Sequence, residues 1–470
     1  MLDKVLAKIK RFIPEKVFKA LWPLYHFLLG VLGNIVYRWP SHKLIVIGVT
    51  GTTGKTTSVF LIAKALEKAG YKVGYTSTAM FGNGETEWLN DKKMTMVGRW
   101  FTFKIMRQMV KNKCQYAVIE TSSEGIVQYR HRFINYDILI FTGLYPEHIE
   151  SHGSFENYKE TKGMLFAHLK DCATKYVDDN KKVQKTETGL KKLSFNRVKK
   201  TIIVNGDDEN SDYFLNFWAE EKIKYRLEHG KVLEQKIRKH YRKVIASNIN
   251  MTSHGTSFKV DDTEINLKLL GEFSIVNAMN AVCAGLSQGL ELDKIKPGLE
   301  NVSGIPGRLE PIDSGQNFTV IVDYAFEPKA IEKLYETIKL IPHKKVIHVL
   351  GSAGGGRDQA RRPILGNLAG HNADYVVVTN EDPYDDDPHI IIDQVVVGAE
   401  NAGKKINKDL FKIYDRQEAI AKALSLAEKD DMVLITGKGS EQAICLAKGE
   451  KVSWDDREVV RQELDKLFKK

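Results

Sequence analysis

A glycine-rich run at residues 48–57, GVTGTTGKTT, has the residue types of a phosphate-binding loop. It lies between the apolar run KLIVIGV and the amphipathic segment SVFLIAKALEKAG, and backbone N–H groups in a strand-to-helix turn of this kind hold phosphate. Lys55 is placed to reach the terminal phosphates of a nucleotide, and the Thr56 hydroxyl to bind Mg²⁺. The other loop residues expected to contact nucleotide are Gly51, Thr52, Thr53, Gly54 and Thr57. A strict G-x-x-x-x-G-K-T motif needs glycine at position 49, where this chain has valine.

Glu120 is a second candidate for metal chemistry. It ends the apolar run QYAVIET (115–121), which we expect to be a buried strand, and hydroxyl residues follow it. Carboxylate and hydroxyl oxygens suit Mg²⁺, so this edge of a sheet is a candidate magnesium site. The alternative is a helix-capping or solvated glutamate.

Further motifs follow one another in the order found in one enzyme family. They are IETSS (119–123) with Gln128 and Arg130, FTGL (141–144) with His148 and His152-Gly153, YKETKGMLF (158–166), NGDD (205–208), GEF (271–273) with Asn277, GRLE (307–310), DYA (323–325), GRD (356–358) with Arg362-Pro363, EDP (381–383), GKG (437–439) with Glu441, and DDRE (455–458). With the loop, this series resembles the Mur ligases, the ATP-dependent amide-forming enzymes of peptidoglycan assembly, and most of all their tripeptide-synthetase branch. The resemblance covers residues 44–470.

The resemblance implies a ligase that transfers the γ-phosphoryl group of ATP to a carboxylate and lets an amine attack the acyl phosphate. Several anions meet in that step, so fixed cations must surround them. The family's catalytic and metal-binding positions fall on Lys55, Thr56, Glu120, His148 and Lys162. The resemblance implies a second Mg²⁺ at His148 and a carbamylated lysine at position 162, which would offer an anionic oxygen in place of a cation.

For the nucleotide, the resemblance implies ATP contacts from Asn277 and Arg308 and ribose contacts from Asp323. An arginine fork donates two hydrogen bonds to phosphate, and an aspartate accepts from vicinal hydroxyls. A capping role for Asn277 and a turn-forming role for Asp323 are the alternatives. Phe326 stands where the family commonly carries histidine, so one polar contact is missing.

The choice of acceptor amino acid falls on the C-terminal loops. Arg357, in a glycine-rich loop after KKVIHVLG, could clamp the acceptor's carboxylate. The loop EDPYDDDP (381–388) holds five acids, and Tyr384 stands where the diaminopimelate-selecting form has an arginine for the distal carboxylate. We therefore expect the acids to favour a distal ammonium, as in lysine or ornithine, unless the loop is merely solvated. The substrate-binding residues expected here are Arg357, Asp382, Tyr384, Gly437 and Glu441.

The N-terminal side departs from the family pattern. Only 43 residues precede the phosphate-loop strand, where this branch normally has a domain that holds uridine diphosphate. Glu124 replaces a family histidine beside the expected substrate residues Ser122 and Ser123, whereas Arg130 matches a residue used near the muramyl peptide. The carrier is therefore gripped by the two remaining domains or is not a UDP-sugar.

Residues 1–43 join a basic amphipathic stretch to an apolar one. The apolar stretch is near the lower limit for a membrane span, roughly 17–25 residues. Its terminal aromatics and the preceding lysines suit a membrane interface. A helical arm packed on the body, an interfacial anchor with peripheral membrane contact, and a true span are the three interpretations.

The elements that must position these residues are β-branched runs that alternate with amphipathic segments from residue 44 onward. Repeated βα units imply a parallel sheet with helices on both faces, and Gly and Pro cluster at the boundary near residues 303–315. We predict an α/β fold with an N-terminal helical arm (1–43), a central P-loop domain with a parallel-rich sheet (44–304) and a smaller C-terminal Rossmann-like domain (305–470).

Composition excludes several classes of protein. The 470 residues are 43% hydrophobic and 28% charged, which excludes disordered and collagen-like chains. The net charge of +10 comes from mixed signs, and we interpret the lysine-rich segments 180–200 and 219–243 as surface, not as a nucleic-acid patch. The four cysteines are far apart, which argues against disulfides and a thiolate zinc site and favours the cytoplasm.

The resemblance thus implies an ATP- and Mg²⁺-dependent ligase that adds a diamino acid to UDP-N-acetylmuramoyl-L-Ala-D-Glu. The expected partners are small molecules: a nucleotide-sugar peptide or lipid-linked carrier, and an amino acid. Alternatives are a ligase for a lipid-linked or polyglutamate-type substrate, a P-loop switch or motor, and an inactive nucleotide-binding scaffold. The expected location is the cytoplasm, with the inner face of the membrane as an alternative.

Overall fold

The computed structural model describes residues 27–147, 152–184, 195–229 and 241–468. The strands are β1 (Ile45–Thr50), β2 (Val73–Thr76), β3 (Met80–Gly82), β4 (Glu87–Leu89), β5 (Tyr116–Glu120), β6 (Ile138–Phe141), β7 (Lys175–Val177), β8 (Asn196–Val198), β9 (Thr201–Asn205), β10 (Glu221–Leu227), β11 (Arg242–Thr252), β12 (Gly255–Val260), β13 (Thr263–Leu267), β14 (Glu310–Pro311), β15 (Thr319–Asp323), β16 (Val346–Leu350), β17 (Tyr375–Val378), β18 (Leu410–Lys412), β19 (Met432–Thr436), β20 (Ala443–Cys445) and β21 (Lys451–Ser453).

The helices alternate with these strands along most of the chain. They are α1 (27–37), α2 (Lys55–Lys68), α3 (Arg99–Lys111), α4 (Ser123–Val127), α5 (Phe155–His168), α6 (Ser211–Leu215), α7 (Glu272–Ser287), α8 (Leu292–Glu300), α9 (Pro328–Ile338), α10 (Arg361–Asn372), α11 (Pro388–Asn401), α12 (Arg416–Leu426) and α13 (Asp456–Phe468). Three 3-10 turns lie at Pro40–Lys43, Leu169–Asp171 and Ala447–Gly449.

The larger sheet has eleven strands in the order β13-β12-β11-β10-β9-β6-β1-β5-β2-β3-β4. The strands from β11 to β2 in this order run parallel, and antiparallel strands extend both edges. We call the described residues from β1 to α8 the large-sheet domain. Val49 pairs with Glu120 and Thr50 with Phe141, so the phosphate loop and Glu120 leave the sheet at the same edge.

The central strands are apolar on both faces because helices cover both faces. Every residue of β1, β5 and β6 is buried. Helices α2 and α7 pack on one face with residues such as Leu61 and Ile275, and α3 and α5 pack on the other with residues such as Phe103 and Phe166. A strand buried on both faces has a continuous apolar sequence, which is why these strands could be predicted.

The smaller sheet has six strands in the order β14-β15-β19-β16-β17-β18, and all but β14 run parallel. We call the residues from β14 onward the small-sheet domain. Asp323 and Thr436 are paired at the carboxyl ends of β15 and β19, from which two of its loops begin. The two sheets confirm the predicted α/β class with a larger and a smaller part. The predicted boundary after residue 304 falls between their strands, and the domain limits stay a prediction.

One interpretation of the lysine-rich segments is wrong. Residues 221–227 form β10, which lies inside the large sheet between β9 and β11, with Ile223, Tyr225 and Leu227 buried. Lysines and other charged residues alternate with these apolar ones, and that period of two is the pattern of a strand. The lysine content concealed it.

Helix α1 packs on the large-sheet domain through small residues. Asn34 Nδ2 donates to the Phe133 carbonyl at 3.2 Å, and a Cβ on Gly30 would lie 2.3 Å from the Phe133 ring. The predicted arm is described only from residue 27, and the basic stretch before it lies outside the described residues. Among the helices that the structure describes, none is long and apolar enough to cross a membrane.

Candidate active site

A cleft of about 370 Å³ lies between the two domains and is lined by loops from both. Nearly all of the residues expected to do chemistry line it. They are Gly51, Thr52, Thr53, Gly54, Lys55, Thr56, Thr57, Glu120, Ser122, Ser123, Arg130, Lys162, Asn277, Arg308, Asp323, Arg357, Asp382, Tyr384, Gly437 and Glu441. The exception is His148, which lies at positions outside the described residues. Residues separated by hundreds of positions thus share one cavity.

The phosphate loop connects β1 to α2. Val49, the departure from the strict motif, lies inside β1 and is fully buried, so the missing glycine is not part of the turn. Gly54 has φ 77°, and a Cβ there would lie 2.4 Å from Asn277 Oδ1, so only glycine fits. Lys55 Nζ donates to the carbonyls of Gly51 at 3.1 Å and Thr52 at 2.5 Å, and therefore curls over the loop.

Thr56 and Glu120 place two kinds of oxygen ligand side by side. Glu120 Oε2 accepts from Thr56 Oγ1 at 2.9 Å and from the Thr78 N–H at 2.8 Å, and Glu120 Oε1 accepts from Thr78 Oγ1 at 2.9 Å. Within the described ranges, no cluster of three His, Cys, Asp or Glu side chains could hold a metal by itself. Mg²⁺ is usually held by one or two carboxylates together with phosphate oxygens, so this donor set fits a nucleotide-bound Mg²⁺.

Lys162 lies on α5, which begins at the Ser154 cap and carries the side chain into the cleft. Its side chain is fully buried, and Nζ donates to the Gly51 carbonyl at 2.9 Å and lies 4.5 Å from the Tyr158 ring centre. Burial, followed by the charge of Lys55, holds the pKa of Lys162 well below its usual range. This environment favours the neutral amine.

Three buried ionisable residues near the phosphate loop were not predicted, namely Glu147, Glu327 and Arg361. Burial and then the charge of Glu327 hold the pKa of Glu147 well above its usual range, and Glu147 Oε1 has no hydrogen-bond partner in the part of the chain described. Glu327 Oε1 accepts from Arg361 Nη1 at 2.6 Å, and burial raises the pKa of Glu327 to about 7. The one available signal for Glu147 was its place directly before His148.

The nucleotide candidates hold parts of the cleft together. Asn277 Oδ1 accepts from Ser58 Oγ at 3.1 Å, which joins α7 to α2. Arg308 Nη2 donates to Thr56 Oγ1 at 3.3 Å, so an arginine on the segment between α8 and β14 reaches the phosphate loop. Asp323 accepts from the backbone N–H groups of residues 309 and 325, at 2.6 and 2.7 Å, and burial raises its pKa.

The candidates expected near the carrier form another wall of the cleft. Ser122 Oγ caps α4 by accepting from the Gly125 N–H at 3.2 Å, and Ser123 Oγ lies 3.2 Å from His152 Nε2. Arg130 donates to the Met96 carbonyl and, at 2.6 Å, to Gln128 Oε1. These contacts fix the side chains in place.

The acceptor candidates lie in the small-sheet domain, where Lys438 Nζ donates to Asp382 Oδ1 at 2.8 Å and to Glu441 Oε2 at 2.9 Å. Lys93 of the large-sheet domain reaches the same two carboxylates, at 2.6 Å from Asp382 Oδ2 and in contact with Glu441 Oε2. Lys93 was not predicted, because no motif contains it.

Two remaining acceptor candidates lie together beside this cluster. The guanidinium of Arg357 is 5.7 Å from the Tyr384 ring centre. A Cβ on Gly437 would lie 2.5 Å from Glu381 Oε2, so glycine at 437 makes room for that buried carboxylate.

Comparison with known proteins agrees with this arrangement. The family description "Mur ligase middle domain" matches residues 49–200 and 189–285, and "Mur ligase, glutamate ligase domain" matches residues 307–439. A UDP-N-acetylmuramyl-tripeptide synthetase from Roseiflexus sp. (strain RS-1) is 34% identical over 450 residues, which cover 93% of this chain and 82% of that protein. A protein of the same name from Borreliella burgdorferi is 34% identical over 441 residues, which cover 93% of this chain and 79% of that protein.

Solved structures share the fold. A UDP-N-acetylmuramoyl-L-alanyl-D-glutamate–2,6-diaminopimelate ligase matches with a TM-score of 0.55 and 24% identity, over 90% of this chain and 79% of that one. Folylpolyglutamate synthase from Mycobacterium tuberculosis, complexed with ADP and AMPPCP, matches with a TM-score of 0.61 and 15% identity, over 93% and 94%. The chain therefore belongs to the Mur ligase family, whose members are ATP-dependent ligases that form C–N bonds.

Proposed function

We propose that this ligase adds a diamino acid to the terminal carboxylate of UDP-N-acetylmuramoyl-L-Ala-D-Glu in the synthesis of peptidoglycan precursors. The main observation in support of this proposal is that one cleft between the two domains is lined by the phosphate loop, Glu120, Lys162 and the acceptor loops. Two relatives that are 34% identical are named as tripeptide synthetases, and several at 31–33% identity are named as diaminopimelate ligases.

The phosphate loop would hold the triphosphate of ATP. Lys55 would turn from its present carbonyl partners to the terminal phosphates, and Arg308, already at Thr56, would add a second cation there. Thr56 and Glu120 would hold Mg²⁺, which when bound neutralises developing phosphate charge. The carboxylate of the carrier attacks the γ-phosphorus, the bond to the β-phosphate oxygen breaks, and ADP leaves.

The amine of the acceptor then attacks the carbonyl carbon of the acyl phosphate. The amide C–N bond forms, phosphate leaves with the electron pair of the C–O bond, and the amine loses a proton. Arg357 is the acceptor-side cation that would orient the amino acid's carboxylate. Asn277 and Asp323 would contact the nucleotide, and Ser122, Ser123 and Arg130 the carrier.

We also propose that Lys162 is carbamylated. A neutral amine adds to CO₂ to give a carbamate anion and one proton, and the burial of Lys162 supports that chemistry by favouring the neutral amine. The carbamate would place an anion beside Lys55 and so form an ion pair with it. The carbamate would also supply an anionic oxygen near the phosphate loop. His148 would supply a nitrogen ligand for a second Mg²⁺.

The exposed side of α1 supports a peripheral contact with lipid. Apolar side chains repeat at helical spacing on that side; they are Leu28, Leu32, Ile35 and Val36, each about half exposed. Gly30 and Asn34 face the protein instead. The sequence before α1 carries basic residues at positions 4, 8, 10, 11, 16 and 19, which suit an anionic lipid surface.

A substrate assay tests the proposed function. The purified protein is incubated with ATP, Mg²⁺, UDP-N-acetylmuramoyl-L-Ala-D-Glu and a panel of amino acids, and product is identified by mass spectrometry alongside ADP release. We expect a tripeptide product that depends on the acceptor. ADP release without any acceptor would favour a nucleotide switch, and product only with a lipid-linked or polyglutamate carrier would replace the proposed substrate.

A further inference from the structure

Asp382 and Glu441 form an acidic pair at the acceptor end of the cleft. Lys438, from the same domain, forms an ion pair with both of these carboxylates. Its Nζ lies 2.8 Å from Asp382 Oδ1 and 2.9 Å from Glu441 Oε2, and donates to the Ala443 carbonyl at 2.8 Å. Its side chain is completely buried. Lys438 is therefore part of the wall of the small-sheet domain.

Lys93 reaches the same pair from the large-sheet domain, on the segment between β4 and α3. Its side chain is only 4% exposed, and its Nζ is 2.6 Å from Asp382 Oδ2 and contacts Glu441 Oε2. The remaining oxygen, Glu441 Oε1, accepts from the Tyr324 hydroxyl at 3.4 Å, and Asp382 Oδ1 has a second donor in the Cys445 N–H at 2.7 Å. Each of the four carboxylate oxygens is thus occupied from within the chain.

The acidic pair has no uncompensated negative charge to offer a ligand. Two carboxylates, Asp382 and Glu441, are balanced by two lysines, and burial raises the pKa of the neighbouring Glu381. Arg357, by contrast, makes no ion pair with any residue that the structure describes, and its guanidinium lies beside the Tyr384 ring. A ligand ammonium would have to displace Lys93 and leave a buried lysine without its partners, which is costly.

We propose that Lys93 is a specificity-determining residue of the acceptor pocket. Its ammonium occupies the subsite between Asp382 and Glu441 and excludes amino acids whose side chain ends in a lone ammonium. The inference rests on the proposed ligase function and deepens it, because among diamino acids it disfavours those with a lone distal ammonium and retains those whose far end is zwitterionic. It reverses the expectation of a lysine- or ornithine-selecting loop, which counted the acids without the lysine that the other domain brings to them.

Lysine and norleucine provide the test, since they have the same chain length and differ in the terminal ammonium. For the wild type we expect kcat/KM with norleucine to equal or exceed that with lysine. In Lys93→Met the acidic pair keeps only Lys438, so the lysine-to-norleucine ratio of kcat/KM should rise about tenfold or more, equivalent to about 1.4 kcal/mol. Lys93→Arg retains the cation and should keep the wild-type ratio.

Lys92→Met is the matched control, because Lys92 is exposed and pairs with Asp91 instead. It should leave the ratio unchanged. A wild-type preference for lysine would overturn the proposal, as would a Lys93→Met enzyme that loses activity equally with both amino acids, because a simple interdomain ion pair predicts that result. If Lys93→Met does not fold, the proposal is tested by the lysine-to-norleucine ratio of kcat/KM in the wild type and in Lys93→Arg. A ratio of one or less in both proteins supports it, and a preference for lysine in either protein overturns it.

Failure of the ligase function itself gives a different result. A wild type that forms no amide with any amino acid contradicts the proposed function, and calorimetric titration then tests the pocket directly. Tighter binding of lysine than of norleucine by Lys93→Met, but not by the wild type, supports the role of Lys93. Equal discrimination by the two proteins overturns it.

Discussion

Lys162 Nζ donates a 2.9 Å hydrogen bond to the Gly51 carbonyl, so the buried lysine of α5 touches the phosphate loop that Lys55 also contacts. Two lysines therefore share one carbonyl in a buried site. Such a site disfavours two positive charges, and the pKa of both lysines is lowered by burial. Deprotonation of Lys162 removes one of those charges, and its conversion to a carbamate would place an anion beside Lys55.

Lys162→Met should lower kcat by about 10²- to 10³-fold, a loss comparable to that on removing one hydrogen-bond donor that stabilises a transition state. The wild type equilibrated with ¹³C-bicarbonate should give a carbamate resonance in the NMR spectrum that the variant lacks. Lys159→Met is the control, because Lys159 lies one turn earlier on α5 and forms an ion pair with Glu156. This variant should keep both the activity and the carbamate resonance. A fully active Lys162→Met enzyme would rule out a catalytic carbamate.

Glu120→Gln should raise the Mg²⁺ concentration needed for half-maximal activity. The amide keeps the size of the side chain but removes the negative charge beside Thr56, and the loss should be at least the roughly 10- to 100-fold in metal affinity that is typical when a residue supporting a metal ligand is changed. The measurement is a Mg²⁺ titration of product formation at saturating ATP. Glu67→Gln on α2, where Glu67 pairs with Lys64, should leave the titration unchanged. An unchanged titration for Glu120→Gln would place the metal elsewhere.

The sequence was sufficient where the determinants are local. The strands that end at Thr50, Glu120 and Asp323 are continuous apolar runs, and the parallel arrangement brings their carboxyl ends to the cleft. It was insufficient where the determinant lies in another domain. Lys93 meets Asp382 across 289 positions, and nothing near residue 93 indicates that its charge will be buried. Strand β10 was missed for another reason, because its lysines conceal its alternating apolar residues.

A buried charge cluster at the amino ends of β6 and β9 should contribute strongly to the stability of the large-sheet domain. Asp137 is fully buried, and its two oxygens accept from Lys175 at 2.5 Å and Lys200 at 2.8 Å. Asp137→Asn leaves two buried lysines without their anion, so the free energy of unfolding in urea should fall by about 3–5 kcal/mol. The exposed pair of Asp91 with Lys92 is the comparison, and Asp91→Asn should cost about 1 kcal/mol or less. Equal costs would contradict the role of burial.

The same cluster should make stability depend on alkaline pH. Burial lowers the pKa of Lys175 to about 8 in the folded protein, against about 10.4 in an unfolded chain. Between these values the unfolded state binds more protons, so the contribution of Lys175 to stability rises with pH. Urea unfolding from pH 7.5 to 10 should show this rise in the wild type and a smaller slope in Lys175→Met. Identical slopes would mean that Lys175 does not titrate in this range.

The apolar side of α1 should bind anionic lipid. Leu32→Glu and Ile35→Glu place charges on the exposed side without touching the contacts of Gly30 and Asn34, so the fold should be retained. The wild type should sediment with vesicles of phosphatidylglycerol and phosphatidylcholine, and each variant should sediment markedly less, because a charge must leave water to enter the interface. Val452→Glu, at an exposed valine of the small-sheet domain, should bind like the wild type.

Two results would contradict a lipid contact at α1. One is a wild type that stays in the supernatant at low salt. The other is a dimer in sedimentation velocity that Leu32→Glu dissociates, because the apolar side would then be covered by a second copy of the chain. Binding that persists in both variants would assign the attraction to the basic residues before α1, and raising the salt concentration should then abolish it, since exposed charges are screened within about 10 Å at 0.1 M salt.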